Sequence, residues 1–380
     1  MRVALFADTY LPQINGVTNT LDRLTAFYEA AGIEYKIFAP KYNMEQPEDN
    51  IERYYSLKFF LYPESRITFP NLFRLTGSLT EFKPELIHLM TEFNMGIAGL
   101  YYGKKHGIPT ISNYTTNFSQ YTSYYKINFL EQAIWNYMRW FHTQNDITLC
   151  PSKAAQRLLK EHGIHNTGIF SRGIDSENFH PMFRNPVFRK SLGLGKKTVF
   201  LYVGRLSVEK DLDTLGESYN RIHKLYPEQT ALIITGDGPY MKKCRDLFPD
   251  DTIFTGFKKG RELAEIYASS DIFICPSSTE TFGNVVLEAM ASGLPVIGAD
   301  SGGVGEIIKH QVTGLKFRPR DSKDLETCMK ELITNPVLLN FLKENGREFG
   351  LNRSWDQIFD ELMDIYQQVL ENKVISIQSA

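Results

Sequence analysis

DIFICPSSTETFGNVVLEAMASG, residues 271–293, compresses a strand, a turn and a helix into one short run. Residues 271–277 are apolar and β-branched enough to read as a buried strand, and Val285, Leu287, Ala289 and Met290 recur at helical spacing from Asn284 onward. The turn between them holds Glu280, Thr281, Phe282 and Gly283, and the helix behind it carries Glu288. A strand that feeds a helix through a glycine-containing turn aims the helix's free N–H groups, and the positive end of its dipole, at whatever lies above the strand. Anions bind at such ends. A carboxylate at the same mouth cannot hold the anion, so Glu280 is expected to face something neutral or cationic, with Glu288 reaching another hydroxylated part of the same ligand. The alternative, that both are acids placed by the helix dipole, stays open at this point.

The same order of strand, loop and helix recurs outward in both directions. Residues 2–7 read as a first strand, followed by a loop containing Tyr10, Asn15 and Gly16 and a helix marked by Leu21, Leu24, Ala26 and Phe27. Residues 34–39 and 86–89 repeat the pattern, with a helix expected after Gly96. It restarts at 199–203, 231–235, 252–254, 271–275 and 295–298. Such alternation implies an α/β chain of doubly wound parallel sheets, with ligands above the carboxyl ends of the strands. Gly16 is then either a close-approach point for a phosphate or a loop glycine at positive φ. The segment SRGIDSENFHP, residues 171–181, reads as a linker, giving domains at 1–170 and 182–355. Residues 355–370, with Ile358, Phe359, Leu362, Ile365, Tyr366 and Val369 in helical register, read as a terminal amphipathic helix.

Composition narrows the class. With 380 residues, 42% of them apolar, the chain can build two sizeable cores, and a net charge of -2 removes the electrostatic footprint of a nucleic-acid binder. Cys150, Cys244, Cys275 and Cys328 show no metal or disulfide spacing, so they are expected as buried thiols. Asp8 interrupts the opening MRVALFADTY too early for a signal peptide, and no apolar run is long enough to span a membrane. A cytoplasmic protein is expected, free or attached to a surface. Two stretches, 53–74 and 118–141, interleave aromatic residues with Arg and Lys, which suits either a membrane interface or a core with snorkelling cations.

Beyond the strand at 199–203 comes GRLSVEKDLDTL, placing Arg205 and Lys210 where a guanidinium fork and an ammonium could clamp a diphosphate. Cations are disfavoured at a helix start, which argues for a ligand. GDGP, residues 236–239, is a tight turn that could also touch a nucleotide. Asp211 and Asp213 form a D-x-D pair, but Asp at a helix start is first a capping residue, so no bound metal is expected.

Taken together these residues resemble a family. Glu280 and Glu288 in ETFGNVVLE match the E-x7-E signature of retaining glycosyltransferase family four, whose fold is GT-B, two Rossmann-like domains. DTYLPQINGV, RGIDSENFHP, GRLSVEKDL, GDGP and ASGLPVIGADSGGVGEII follow in the family's order over nearly the whole length. The opening, with IHLMTE and NYTTNFSQY, is most similar to the branch of GDP-mannose-dependent α-mannosyltransferases. The resemblance implies an acceptor-binding N-terminal domain joined by the C-terminal helix, 356–380, and a C-terminal domain for the nucleotide sugar. It implies that Arg205 and Lys210 bind the diphosphate, that Gly16 approaches it, and that Glu288 holds the ribose. Glu280, Phe282, Gly283, Asn284 and Val285 would meet the donor sugar, Lys258 and Gly236 would lie near the nucleotide, and Tyr10, Asn15, Tyr114 and Thr115 would lie on the acceptor side. Thr115 departs from the family, which usually places a His there; Thr can donate a hydrogen bond but cannot titrate near neutral pH. The expected reaction is retaining, metal-free and cofactor-free transfer of mannose or glucose from a GDP- or UDP-sugar to a lipid or glycan hydroxyl. A sugar-nucleotide epimerase and a non-catalytic nucleotide-sugar sensor are the alternatives.

Overall fold

The computed structural model describes residues 1–13, 15–42, 49–58, 66–115 and 131–378. The chain divides into two compact units, 1–171 with 356–380, and 172–355. In the first, β1 (Arg2–Phe6), β2 (Glu34–Pro40), β3 (Ile51–Tyr54), β6 (Leu86–Leu89), β7 (Thr110–Asn113), β8 (Ile147–Cys150) and β9 (Thr167–Ile169) form a sheet in the order β3-β2-β1-β6-β7-β8-β9. Every pairing in it is parallel. A short antiparallel ribbon, β4 (Ser56–Lys58) with β5 (Arg66–Thr68), stands apart from that sheet. The order reverses between β1 and β6, so this unit's switch point lies where the loops after Phe6 and Leu89 leave the sheet.

The second unit repeats the plan with β10 (Thr198–Val203), β11 (Thr230–Thr235), β12 (Ile253–Gly256), β13 (Ile272–Cys275), β14 (Val296–Ala299) and β15 (Leu315–Phe317). Its order is β12-β11-β10-β13-β14-β15, all parallel, with the reversal between β10 and β13. The run 272–275 is buried at every position because helices cover both faces. Phe273 and Cys275 join one core with Val199, Leu201 and Met290, while Ile272 and Ile274 join the other with Phe200 and Tyr202. The two-residue period of the strand thus divides its side chains between two cores.

Several expectations need correction. The chain passes from one unit to the other between residues 171 and 172, at the start of the segment 171–181 read as a linker, but that segment is packed: Ile174 donates its amide to Arg353 O at 2.8 Å, and Ser171, Arg172 and Ile174 are buried. A Cβ on Gly173 would sit 2.6 Å from the Trp355 backbone, which explains the glycine. Gly16 is not a positive-φ loop residue but the first residue of the helix Gly16–Ala30, and the helix expected after Gly96 already starts at Asn94. The terminal helix runs Trp355–Gln378, longer than its apolar pattern suggested. In the first unit its Phe359 packs on Phe27 and Phe170, and its Tyr366 hydroxyl meets Tyr28 and His88 Nδ1 at 2.8 and 2.5 Å. The four cysteines are free and buried.

Candidate functional site

The switch point of the second unit collects most of the residues singled out from the sequence. β10 ends at Val203, and Arg205 follows at once, half-buried, its carbonyl accepting the Tyr202 hydroxyl at 2.9 Å. Lys210 closes the 3-10 turn Val208–Lys210 and so precedes the helix Leu212–Leu225 rather than starting it. Its Nζ lies 2.5 Å from Glu280 Oε1, both side chains about four-fifths buried. Glu280 therefore faces a cation, and that cation comes from the loop of the neighbouring strand.

What holds the pair in place is a seam between the two loops. The Glu209 carbonyl accepts the hydroxyls of Ser277 and Thr279 at 3.4 and 3.1 Å. Asp211 Oδ2 accepts the backbone amide and hydroxyl of Ser278 at 2.9 and 2.6 Å, and Arg320 Nε lies 3.3 Å from Asp211 Oδ1. Asp211 thus occupies the cap position at φ 51° but makes no side-chain capping bond, contrary to its sequence reading. Asp213 turns elsewhere, to the Tyr240 hydroxyl at 2.5 Å and Lys243 at 2.8 Å. The D-x-D carboxylates are engaged separately, and among the described residues no cluster of three metal-ligating side chains occurs.

The turn after β13 rests on a second brace. Gly303 donates its amide to Glu280 O at 2.9 Å, and a Cβ on Gly303 would lie 2.3 Å from Phe282 Cα. Only glycine permits that approach of two backbones. These positions were legible only as part of a matching motif, because the sequence gives no hint of which loop the Ser-Gly-Gly turn presses against. Gly283, at φ 107°, then starts the helix Asn284–Ala291 with no side-chain cap, so the first-turn amides at Asn284 and Val285 keep their anion-binding character. Phe282 is buried beneath the turn. One helical turn on, Glu288 Oε2 accepts the Tyr267 hydroxyl at 2.9 Å. Gly236, at the end of β11, has a structural reason of its own: its Cβ would fall 1.9 Å from Gly204 O, where two strand-end loops touch. Lys258 stands at the end of outlying β12, paired with Glu262 at 3.2 Å.

In the first unit, Asn15 caps the helix Gly16–Ala30, its Oδ1 accepting the amides of Val17 and Thr18 at 3.0 Å, while its Nδ2 donates to Thr9 Oγ1 at 2.8 Å. Tyr10 is buried under the Arg53 guanidinium, 5.6 Å from its ring centre. Tyr114 is buried at the end of β7 and Thr115 beside it is half-buried. Sequence reasoning missed the acids at this mouth. Asp8 accepts Met95 N at 3.0 Å and Thr91 Oγ1 at 2.8 Å, and burial pushes its carboxyl up to about 6. Burial pushes Glu92 up to about 8, whereas it holds the His142 imidazole down to about 3. Glu92 Oε1 and His142 Nε2 face each other at 3.8 Å, and neither atom has a hydrogen-bond partner among the described residues. Their signal was available only as burial, which a loop position after a strand does not announce.

Of the two aromatic stretches, residues 59–65 and 118–130 lie outside the described residues. Elsewhere in them Arg53 binds Leu11 O and Pro40 O, Arg66 binds Ser56 and covers the Tyr42 ring, and Arg74 pairs with Glu52 at 2.9 Å. Among the described residues no helix is long and apolar enough to cross a membrane.

The family described as Glycosyl transferases group 1 matches residues 184–349, and Glycosyltransferase Family 4 matches residues 14–178. A GDP-mannose-dependent alpha-mannosyltransferase of Corynebacterium glutamicum is 32% identical over 97% of this chain and 89% of its own. An alpha-monoglucosyldiacylglycerol synthase of Streptococcus pneumoniae is 29% identical over 83% of this chain and 75% of its own. The Anabaena HepE protein, solved with UDP-glucose, superposes with a TM-score of 0.77 at 18% identity, covering 97% of this chain and 100% of that one.

Proposed function

The chain belongs to the glycosyltransferases of group 1 and family 4, with the GT-B fold and hexosyltransferase activity, and from that premise we propose its donor, its acceptor and the residues that serve them. The donor is a nucleoside diphosphate hexose, GDP-mannose first and UDP-glucose second, and transfer retains the anomeric configuration. The acceptor is a hydroxyl on a lipid or a cell-envelope glycan, reached by peripheral contact at the cytoplasmic face of a membrane. One observation carries the donor reading: the second unit's switch point brings Arg205, the Lys210–Glu280 pair and an uncapped helix start to one mouth.

As the bond to the hexose breaks, negative charge grows on the leaving diphosphate. Arg205, Lys210 and the amides following Gly283 stabilise it, and losing one such group typically costs about 3 to 4 kcal/mol in the transition state. No divalent cation is required for that. Glu280, balanced by Lys210 before the donor arrives, faces the sugar, where an oxocarbenium-like charge develops. Glu288, steadied by Tyr267, holds the ribose. Gly236 and Lys258 line the donor in the second unit, and in the first unit Tyr10, Asn15, Tyr114 and Thr115 serve the acceptor, with the Asn15 and Tyr10 side chains acting as scaffold because their contacts are internal. Nothing observed favours the epimerase or the sensor over transfer.

Thermal shift with GDP, UDP, ADP and their sugars tests the donor, since a ligand at a hundred times its Kd adds about 2.7 kcal/mol of stability. GDP and GDP-mannose are expected to give the largest shift. Incubation with labelled donor then separates transfer to an added acceptor from isomerisation, and turnover limited to isomerised donor would overturn the assignment.

A further inference from the structure

The β4–β5 ribbon is patterned inside out. In register, Leu57 pairs with Ile67 and Ser56 with Thr68, and the next step places Tyr55 beside Phe69, ring centres 6.0 Å apart. Ser56 and Thr68 are buried, whereas Tyr55, Leu57, Ile67 and Phe69 are 38–63% exposed. A half-buried ribbon ordinarily turns its apolar face inward and its polar face to water. Here the polar face is tied down: Ser56 Oγ donates to Lys41 O at 2.8 Å and accepts Arg66 Nε at 2.7 Å. The chain then continues into the helix Leu72–Phe82, whose first two residues extend the apolar exposure, Leu72 at 54% and Phe73 at 93%. Six large apolar side chains in close succession amount to far more than the scattered exposure normal for a soluble surface.

We infer that this face, Tyr55, Leu57, Ile67, Phe69, Leu72 and Phe73, docks the protein on a phospholipid bilayer by inserting its side chains at headgroup depth. The charge around it selects that partner. Segments 55–57 and 66–80 contain Arg66 and Arg74 and no carboxylate, and Glu52, which pairs with Arg74, is itself buried while Arg74 stays largely exposed. A positive collar around protruding rings fits an anionic interface. Because Arg66 and Arg74 are held by Ser56 and Glu52, the apolar side chains carry the binding and the cations modulate it. The inference gives the lipid-acceptor reading its contact residues, but it stands on the ribbon's pattern and is measured without turnover.

The test is co-sedimentation of the full chain with vesicles of phosphatidylcholine containing an anionic phospholipid, in low and high salt. Binding is expected, with only a few-fold loss in high salt, and Phe73→Ser and Leu57→Ser are each expected to weaken partitioning by about ten- to a hundredfold. Unchanged thermal midpoints of the variants establish that their fold is intact. Partitioning of Phe73→Ser and Leu57→Ser equal to the parent overturns the inference, as does a parent that stays in the supernatant. So does a concentration-dependent dimer in the absence of lipid that Phe73→Ser dissolves, since the face would then belong to a second copy. GDP and UDP thermal shifts run on the same variants keep the two readings apart: failure of the donor assignment removes the shifts in parent and variants alike and leaves vesicle binding intact.

Discussion

Lys210 and Glu280 neutralise one another at 2.5 Å, so each sets the other's availability to a ligand. Replacing Glu280 with Gln frees the ammonium for a diphosphate while removing the carboxylate proposed to face the sugar. Glu280→Gln is therefore expected to bind nucleoside diphosphate at least as tightly as the parent, by calorimetry, while kcat falls by about a hundredfold or more. Weaker nucleotide binding with unchanged kcat would contradict this. A second pair acts on stability. Glu92 is protonated in the fold up to about pH 8, against an ordinary value of 4.5, so its contribution is complete below about pH 4.5 and is lost as pH rises through 8. Asp8, raised to about 6, acts in the same direction. His142, held down to about 3, acts oppositely, its contribution lost as pH falls below the ordinary 6.5. The alkaline decline belongs chiefly to Glu92 and amounts to roughly a few kcal/mol. Thermal midpoints from pH 5 to 9 should fall in the parent and flatten in Glu92→Gln. Parallel curves would show that Glu92 does not titrate as its burial dictates.

At the scale of elements, the turn after β13 is shaped by a partner it meets late in the chain. Gly303 admits the Phe282 backbone where a Cβ would stand 2.3 Å away, and the same residue donates to Glu280 O. Gly303→Ala should displace the turn that carries Glu280 and the first-turn amides. The expected result is at least tenfold weaker binding of donor and free nucleotide alike, with far-ultraviolet circular dichroism unchanged. Intact donor affinity would mean that the turn is held some other way. This element also shows what the sequence could tell. The strand at 272–275 and the helix from Asn284 follow from apolar period and alternation, which are local properties, whereas the reversal between β10 and β13 does not. The Lys210–Glu280 contact was legible only as two residues at strand ends, because their meeting depends on which strands become neighbours. Asp211 was misread as a side-chain cap for the same reason: Ser278, the group that claims its carboxylate, lies 67 positions away. The acids Asp8 and Glu92 escaped because the depth of a loop is set by what packs over it.

For the whole molecule, two units of the same doubly wound plan share one chain, which leaves the first unit at Ser171 and returns to it with the terminal helix. Charge neutralisation at the donor's diphosphate has to come from somewhere in that architecture. In metal-dependent transfer a divalent ion supplies it, held by carboxylates that are otherwise unengaged. Here the nearest D-x-D pair is committed, Asp211 to Ser278 and Arg320 and Asp213 to Tyr240 and Lys243. Arg205 and Lys210 instead stand in the loop after β10 beside the helix start at Asn284, Lys210 balanced by Glu280 until a diphosphate draws it away, so that two cations and a dipole can take the charge. Transfer is therefore expected to continue at the parent rate in excess chelator and to gain less than about twofold from added magnesium or manganese. Lys210→Ala should lose roughly a hundredfold or more in kcat under both conditions. The decisive contrast is the cross: activity abolished by chelator and restored by manganese, in parent and Asp211→Asn differently, would assign the diphosphate charge to a metal and return Asp211 to the reacting groups.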